Sequence, residues 1–545
     1  MSSEFSLLIK TLLNGPIQQA PQQQIISDGL GSYSYVEFIN RLSRFGQLLR
    51  RFGVGRGDVV AIMDWDTHRY LESFFAVPML GATLHTVNIR LSPSQIAYTI
   101  DHADDDVILV HVDFLPLLEE VMLQVKRDVR LIIMRDAPDR ELPHTTLQIE
   151  AILDELFLEA DSDFSFPNFD ENTRATTFYT TGTTGDPKAV AYSHRQLVLH
   201  TMGILATLGP MSASNRFHNR DVYMPVTPMF HVHGWGFPYA ATMLGLKQIY
   251  PGRYVPNRLM ELVCEHRVTF SHCVPTILHM LLGCNAAASA DLSNWKVVIG
   301  GSALPRGLAE QALARGINLF SAYGLSETCP FLTVAHLDPN DEGDIEARLK
   351  TGRPAAMVEI RVVDAVMNDV PRDGKSVGEI VARAPWLNKA YLKDEVATKA
   401  LWHGGYMHTG DVGKFDERGN LIITDRVKDV IKSGGEWISS LTLESIASTV
   451  PGVAEVAAIG IPDSRWGERP MLVVVQDNSN QTTASDRKNI IQEMIKIAYQ
   501  EAIAAGVISK WASPNRIDIV DKIAKTSVGK IDKKTLRTTI LNAET

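Results

Sequence analysis

The sequence predicts an α/β protein: a large N-terminal domain of layered α/β subdomains plus a small β-barrel-like part, hinged to a small C-terminal α+β domain. Three observations carry this. Short Val/Ile-rich runs alternate with helical patterns through the first three hundred residues. Between 338 and 383 the pattern changes to short strands separated by Gly and Pro. At 425–437 a cluster of charges and the pair Gly434-Gly435 follow a strand-like run.

In chain order, residues 58–63 read as a strand before a helix at 69–80, and 107–112 as a strand before a helix at 115–125. The uncharged stretch 73–89 contains Pro78, Gly81, His85 and Asn88, which predicts a buried helix and strand rather than a membrane span. Residues 176–180 and 189–192 read as strands flanking a Gly/Thr loop, and Ser193 with Gln196 three residues on forms a capping box for the next helix. Residues 296–299 and 317–322 read as strands that end in glycine-containing turns, with strands again at 358–363, 378–381 and 421–424. The expected divisions are a large domain over 1–427, a hinge loop over 428–437 and a small domain over 438–545. In the last, 454–461 and 471–476 read as strands. Ile490, Ile491, Met494, Ile497 and Ala498 form a helical stripe, and 534–541 a final helix.

Composition narrows the function. Of 545 residues, 45% are hydrophobic and 21% charged, and 63 acidic against 53 basic side chains leave a net charge of -10 without a basic block, which excludes nucleic acid as a partner. The four cysteines show no CxxC spacing, and the N-terminus has no signal-peptide pattern, so a reducing, cytoplasmic setting without a transmembrane segment is expected. Cys264-Glu265-His266 and His272-Cys273 contain zinc-ligand residue types but lack zinc-site spacing.

The chemistry lies in six segments. Thr181-Gly182-Thr183-Thr184-Gly185-Asp186-Pro187-Lys188 offers glycines that let the backbone approach a polyphosphate, hydroxyl donors and a cation. It is not a Walker A loop, since only two residues separate its glycines and Pro187 precedes the lysine. His231-Val232-His233-Gly234-Trp235 follows a Pro-flanked run. Gly300-Gly301-Ser302-Ala303 and Ser321-Ala322-Tyr323-Gly324-Leu325-Ser326-Glu327 each stand at the carboxyl end of a strand, where α/β proteins bind ligands. Tyr323 offers a flat face for adenine, and Glu327 a hard oxygen ligand for Mg²⁺. His408-Thr409-Gly410-Asp411 precedes the charged boundary, and Lys530 stands in a Gly-containing turn before the final helix.

Together these segments, in this order, resemble the acyl-adenylate-forming superfamily, and in particular its AMP-dependent medium- and long-chain fatty acyl-CoA synthetases. Thr181 and Ala189 stand where Ser and Gly are usual, and Ser326 where Thr is usual; hydroxyl or small size is kept. The resemblance implies ATP and AMP binding by Thr181, Gly182, Thr183, Thr184, Lys188, Gly301, Ser302, Ala303, Ser321, Ala322, Tyr323, Gly324, Ser326, Asp411, Arg426, Lys432 and Lys530. It implies Mg²⁺ on Thr184 and Glu327, with Asp411 and Arg426 at the ribose. It implies an acyl path at His231, Val232, Trp235 and Gly301, with His231 beside the carboxylate. The hinge falls at Lys428; Trp437 matches a position near the nucleotide, and Gly434 and Gly435 a loop lining the thiol's tunnel. Lys530 matches the catalytic lysine.

The implied reaction activates a carboxylic acid, most simply a medium- or long-chain fatty acid, with ATP. The acyl group then passes to CoA, and the small domain rotates between the two steps. Three alternatives stay open on sequence: the same chemistry on a short thioether or aryl acid, acyl loading of a carrier protein, and a non-catalytic nucleotide-binding scaffold. Members of the family often pair as homodimers through the large domain; the residues themselves add no interface signal.

Overall fold

The computed structural model describes residues 5–137, 140–160, 162–180, 186–211, 215–337, 343–433, 436–477, 484–526 and 530–544. Mixed α/β architecture is present throughout, in four sheets.

The first sheet has seven strands, in the order Ile149–Ile152, Arg130–Met134, Val107–His111, Val59–Met63, Thr83–Thr86, Arg174–Thr180 and Lys188–Ser193. All neighbours are parallel except the last pair, a hairpin in which Thr180 lies opposite Lys188. Val59–Met63 and Val107–His111 are buried along their whole length, as parallel strands covered on both faces must be. The helix His68–Met79 and the strand Thr83–Thr86 are likewise fully buried, so the uncharged stretch is core. Among the described residues no helix is long and apolar enough to cross a membrane. The predicted capping box forms: Ser193 Oγ accepts from the Gln196 amide, and Gln196 returns the bond to the Ser193 backbone.

The second sheet has nine strands, and within it Phe270–Cys273, Lys296–Ile299 and Asn318–Tyr323 run parallel and adjacent. Their carboxyl ends therefore lie side by side, bringing Gly300 and Gly301 next to Tyr323 and Gly324. A third, antiparallel sheet of five strands includes Glu359–Val363, Gly378–Arg383, Tyr406–Phe415 and Leu421–Arg426, the small β unit expected from the change of pattern.

The C-terminal unit has its own five-stranded sheet, built on the long antiparallel pair Val453–Asp463 and Gly467–Gln476, and two cores of its own around Leu443, Leu472 and Ile495 and around Ile459, Val473 and Leu536. Two expectations change here. The predicted hinge loop over 428–437 is shorter: Ile431–Ser433 and Glu436–Ile438 pair as strands of this sheet, because Ile431 and Ile438 face each other and are buried in its core, which leaves 427–430 as the turn. In the helix Ala484–Ala504 the buried stripe is Ile491, Ile495, Tyr499 and Ala502, whereas Ile490 and Ile497 are 56% and 52% exposed. Spacing of four, four and three selects one narrow face, and the two isoleucines lie beside it.

Candidate active site

The C-terminal unit docks on the large domain so that Lys530 reaches the carboxyl ends of the central strands. A cleft there is lined by His231, Val232, Trp235, Gly301, Tyr323 and Ser326 of the large domain, with Lys530 entering from the small one. Gly301 makes the approach feasible. A Cβ at this position would lie 3.0 Å from Lys530 Cε, and its φ of +79° suits glycine. Withdrawal from water and the charge of Arg426 lower the Lys530 pKa to about 8, with Asp411 and Glu327 pulling the other way.

One wall is made by an unusual backbone. Val232, His233, Gly234, Trp235 and Gly236 all have positive φ, from 49° to 76°, a left-handed turn that costs a non-glycine residue about 1–2 kcal/mol. A β-branched residue there is a true outlier. Packing and hydrogen bonds hold it: Met229 N donates to Asp66 Oδ1 at 2.8 Å, and Thr86 Oγ1 to Phe230 O at 3.0 Å. The result is a division of side chains. Val232 and Trp235, three apart, line the cleft, while His233 is buried among the rings of Phe74, Phe178, Tyr192 and Tyr239. The Trp235 ring lies over Gly300, where a Cβ would be 3.2 Å away. Burial, reinforced by the charges of Lys530 and Arg90, lowers the His231 pKa to about 3, so its imidazole is neutral at physiological pH.

Beside the cleft, Tyr323 Oη donates to Asp411 Oδ2 at 2.7 Å and Arg426 Nε lies 3.2 Å from Asp411 Oδ1. Burial raises the Asp411 pKa, opposed first by Arg426. Glu327 Oε1 accepts from Tyr391 Oη at 2.6 Å, and its second oxygen has no hydrogen bond among the described residues. An anionic oxygen held on one side and open on the other fits a hard divalent cation. Lys188 Nζ lies 5.0 Å from the centre of the Tyr391 ring.

The structure thus gathers His231, Val232, Trp235, Gly301, Ala322, Tyr323, Gly324, Ser326 and Lys530 around one cleft, and sets the Tyr323–Asp411–Arg426 and Lys188–Tyr391–Glu327 groups at its border. Ser321 is buried on the adjoining strand, and Ser302 and Ala303 are exposed just past Gly301. Lys428 and Lys432 are exposed and do not line the cleft. Thr181, Gly182, Thr183, Thr184, Gly434 and Gly435 lie outside the described residues, as does the side chain of Trp437. His272, one of the zinc-type residues, is instead a core histidine bonded to Tyr223 Oη at 2.8 Å and Thr227 Oγ1 at 3.1 Å. Sequence reasoning missed Tyr391 and the left-handed turn; the closely spaced Gly234 and Gly236 were the only signal of the latter.

Comparison with known proteins shows the family. The profile of the AMP-binding enzyme family matches residues 16–392, and that of the AMP-binding enzyme C-terminal domain matches 442–530. The chain belongs to the AMP-binding enzyme family. This AMP-binding enzyme is 38% identical over 512 residues to a long-chain-fatty-acid–CoA ligase of Thermus thermophilus, covering 92% of this chain and 89% of that one. It is 35% identical over 547 residues to a 3-methylmercaptopropionyl-CoA ligase of Ruegeria pomeroyi, covering 97% of each. In fold it is similar to an anthranilate CoA ligase solved with anthranoyl-AMP, at a TM-score of 0.86 and 20% identity over 100% of this chain and 99% of that one. ATP-bound MatB from Rhodopseudomonas palustris gives 0.81 and 22% over 99% and 100%.

Proposed function

We propose that this acid–CoA ligase activates a medium- or long-chain fatty acid: the acid is adenylated with ATP, and the acyl group passes to CoA with release of AMP. The observation that carries the fatty-acid reading is the character of the acyl side of the cleft. Val232, Trp235, Phe237, Val298 and Phe331 line it, with no carboxylate and no cation other than Lys530 among the described lining residues.

In the first step a carboxylate oxygen attacks the α-phosphorus of ATP, and the bond to the β-phosphate breaks in line to release pyrophosphate. Lys530 holds its charge against the developing oxyanion charge, in a site where burial makes that charge count for more than in water. His231, being neutral, orients the carboxylate by a hydrogen bond rather than by attraction. Asp411 accepts from the ribose hydroxyls, with Arg426 and Tyr323 fixing its rotamer. Glu327 and Thr184 would hold Mg²⁺, which supplies charge neutralisation at the polyphosphate. In the second step the thiol of CoA loses its proton and attacks the acyl-adenylate carbonyl, and AMP leaves with the electron pair. Rotation about residues 427–430 withdraws Lys530 between the steps. The four free cysteines suit a cytoplasmic setting.

One observation favours a second reading. The Trp235 ring lies over Gly300, where a Cβ would be 3.2 Å away, and narrows the acyl side of the cleft, which suits a short acid such as a thioether propionate; a longer chain needs the indole to move aside. Pyrophosphate release with CoA and Mg·ATP across acids from acetate to palmitate, plus aromatic and thioether acids, with products identified by mass spectrometry, separates the two. Thioesters of acids of six or more carbons are expected. A preference for the thioether acid would replace the substrate and keep the chemistry, and adenylate without thioester would point to a carrier-protein acceptor.

A further inference from the structure

A strap beside the cleft, residues 388–393, is bonded to each of the parts that handle the polyphosphate. Asn388 N donates to Glu327 O at 2.8 Å, and Leu392 N to Ala189 O at 3.1 Å, while Tyr391 bridges to Val190 of the hairpin strand Lys188–Ser193. Lys393 Nζ reaches Asp104 Oδ2 at 2.7 Å and His102 O at 2.9 Å. His102 Nδ1 in turn pairs at 2.8 Å with Tyr179 Oη, on the strand that leads into the Gly/Thr loop. The strap therefore references three chain segments to one another, and Tyr391 stands at its centre.

Tyr391 makes two different contacts with two different groups. Its hydroxyl donates to Glu327 Oε1 at 2.6 Å, and its ring lies 5.0 Å from Lys188 Nζ. A phenol–carboxylate bond of this length is charge-assisted and fixes the carboxylate's rotation. The ring holds the ammonium by its quadrupole without neutralising it, as an anionic partner would. Tyr391 is further anchored through its own backbone, whose N–H donates to Thr398 Oγ1 at 3.0 Å.

We propose that Tyr391 is a positioning residue for the adenylation half-reaction. It selects which oxygen of Glu327 is presented to the divalent cation, and it aims the Lys188 ammonium at the departing phosphates. It touches no reacting atom. Because pyrophosphate leaves before the thiol arrives, this device serves the first half-reaction and is idle in the second.

The inference rests on the ligase reading, and the test keeps the two apart. Wild type, Tyr391→Phe and Tyr391→Leu of the full chain are compared in acid-dependent ATP–pyrophosphate exchange as a function of Mg²⁺, using an acid the wild type accepts. Thioester formation from synthetic acyl-adenylate and CoA, Mn²⁺·ATP affinity by electron paramagnetic resonance, and Tm are measured alongside. Tyr391→Phe is expected to lower exchange and weaken Mn²⁺·ATP binding by about 10–100-fold, the range for losing a ligand's outer partner. It should also raise the Mg²⁺ needed for half-maximal exchange. Tyr391→Leu, which also loses the ring, should fall further, and both should keep the thioester step within about twofold of wild type. Unchanged exchange and Mn²⁺·ATP affinity in Tyr391→Phe would overturn the proposal. So would equal losses in both half-reactions with a lowered Tm, which would mark packing alone. A wild type that exchanges no pyrophosphate with any acid would overturn the ligase reading itself, before any variant is compared.

Discussion

Lys530 and His231 line the same cleft, yet burial gives them different duties. The imidazole, at about 3, has lost its charge throughout the physiological range, whereas the ammonium, at about 8, keeps it at neutral pH and gives it up not far above. In the proposed reaction the protonated lysine is the active form, and its pKa lies below the ordinary 10.5. Adenylation kcat/KM, which reports the free enzyme, should therefore fall as pH rises through about 8, tenfold per unit beyond it. A flat profile to pH 10 would contradict this. ATP brings negative charge to the ammonium and raises its pKa, so the kcat profile should turn down at higher pH than the kcat/KM profile. Asp411 gives a second prediction at this scale. Asp411→Asn removes a charge shared by Tyr323 and Arg426, and the KM for ATP should rise by about 10–100-fold, the worth of a hydrogen bond to a charged group. Residues with a motif around them, such as Lys530, Glu327 and Asp411, were legible in the sequence. Tyr391 was not, because a lone tyrosine carries no spacing signal and its partners Glu327 and Lys188 come together only through the fold.

Two elements show how backbone shape sets the site. The left-handed turn over 232–236 presents Val232 and Trp235 to the cleft and sends His233 inward. Gly236, at φ +76°, has the His200 ring where a Cβ would come within 2.6 Å. Gly236→Ala should therefore destabilise by about 1–3 kcal/mol, read as a lowered Tm in differential scanning fluorimetry; an unchanged Tm would mean the turn is softer than its packing implies. The second element is the contact between the helices Arg306–Ala314 and Ser440–Ser448, which belong to the two domains. A Cβ on Gly307 would lie 2.2 Å from the Ser448 carbonyl oxygen, so this docking requires glycine. Gly307→Val should slow pyrophosphate exchange and spare thioester formation from preformed acyl-adenylate, measured side by side. Equal effects on both would mean the helices are packed alike in both arrangements. Strand and helix existence was readable from apolar periodicity, but neither the turn nor this contact was. The first depends on torsions that composition does not encode, and the second on two domains meeting across more than a hundred residues of sequence.

At the scale of the whole molecule, the sheets of the large domain and the separate cores of the C-terminal unit describe two bodies, each with an apolar interior of its own. Such a division permits one body to rotate on the other without unfolding either. The sequence showed both bodies and their order, since the change from layered α/β pattern to charged boundary to α+β pattern lies along the chain. The docked arrangement was not readable from it. The arrangement places Lys530 against Gly301 and leaves Lys428 in the turn, which is the geometry the proposed first half-reaction calls for. The most direct test of this account is to measure both half-reactions in Lys530→Ala. Acid-dependent pyrophosphate exchange should fall by about 10²–10³-fold, while thioester formation from synthetic acyl-adenylate and CoA stays within a few-fold of wild type. Loss of both steps together, or exchange that survives the substitution, would contradict it.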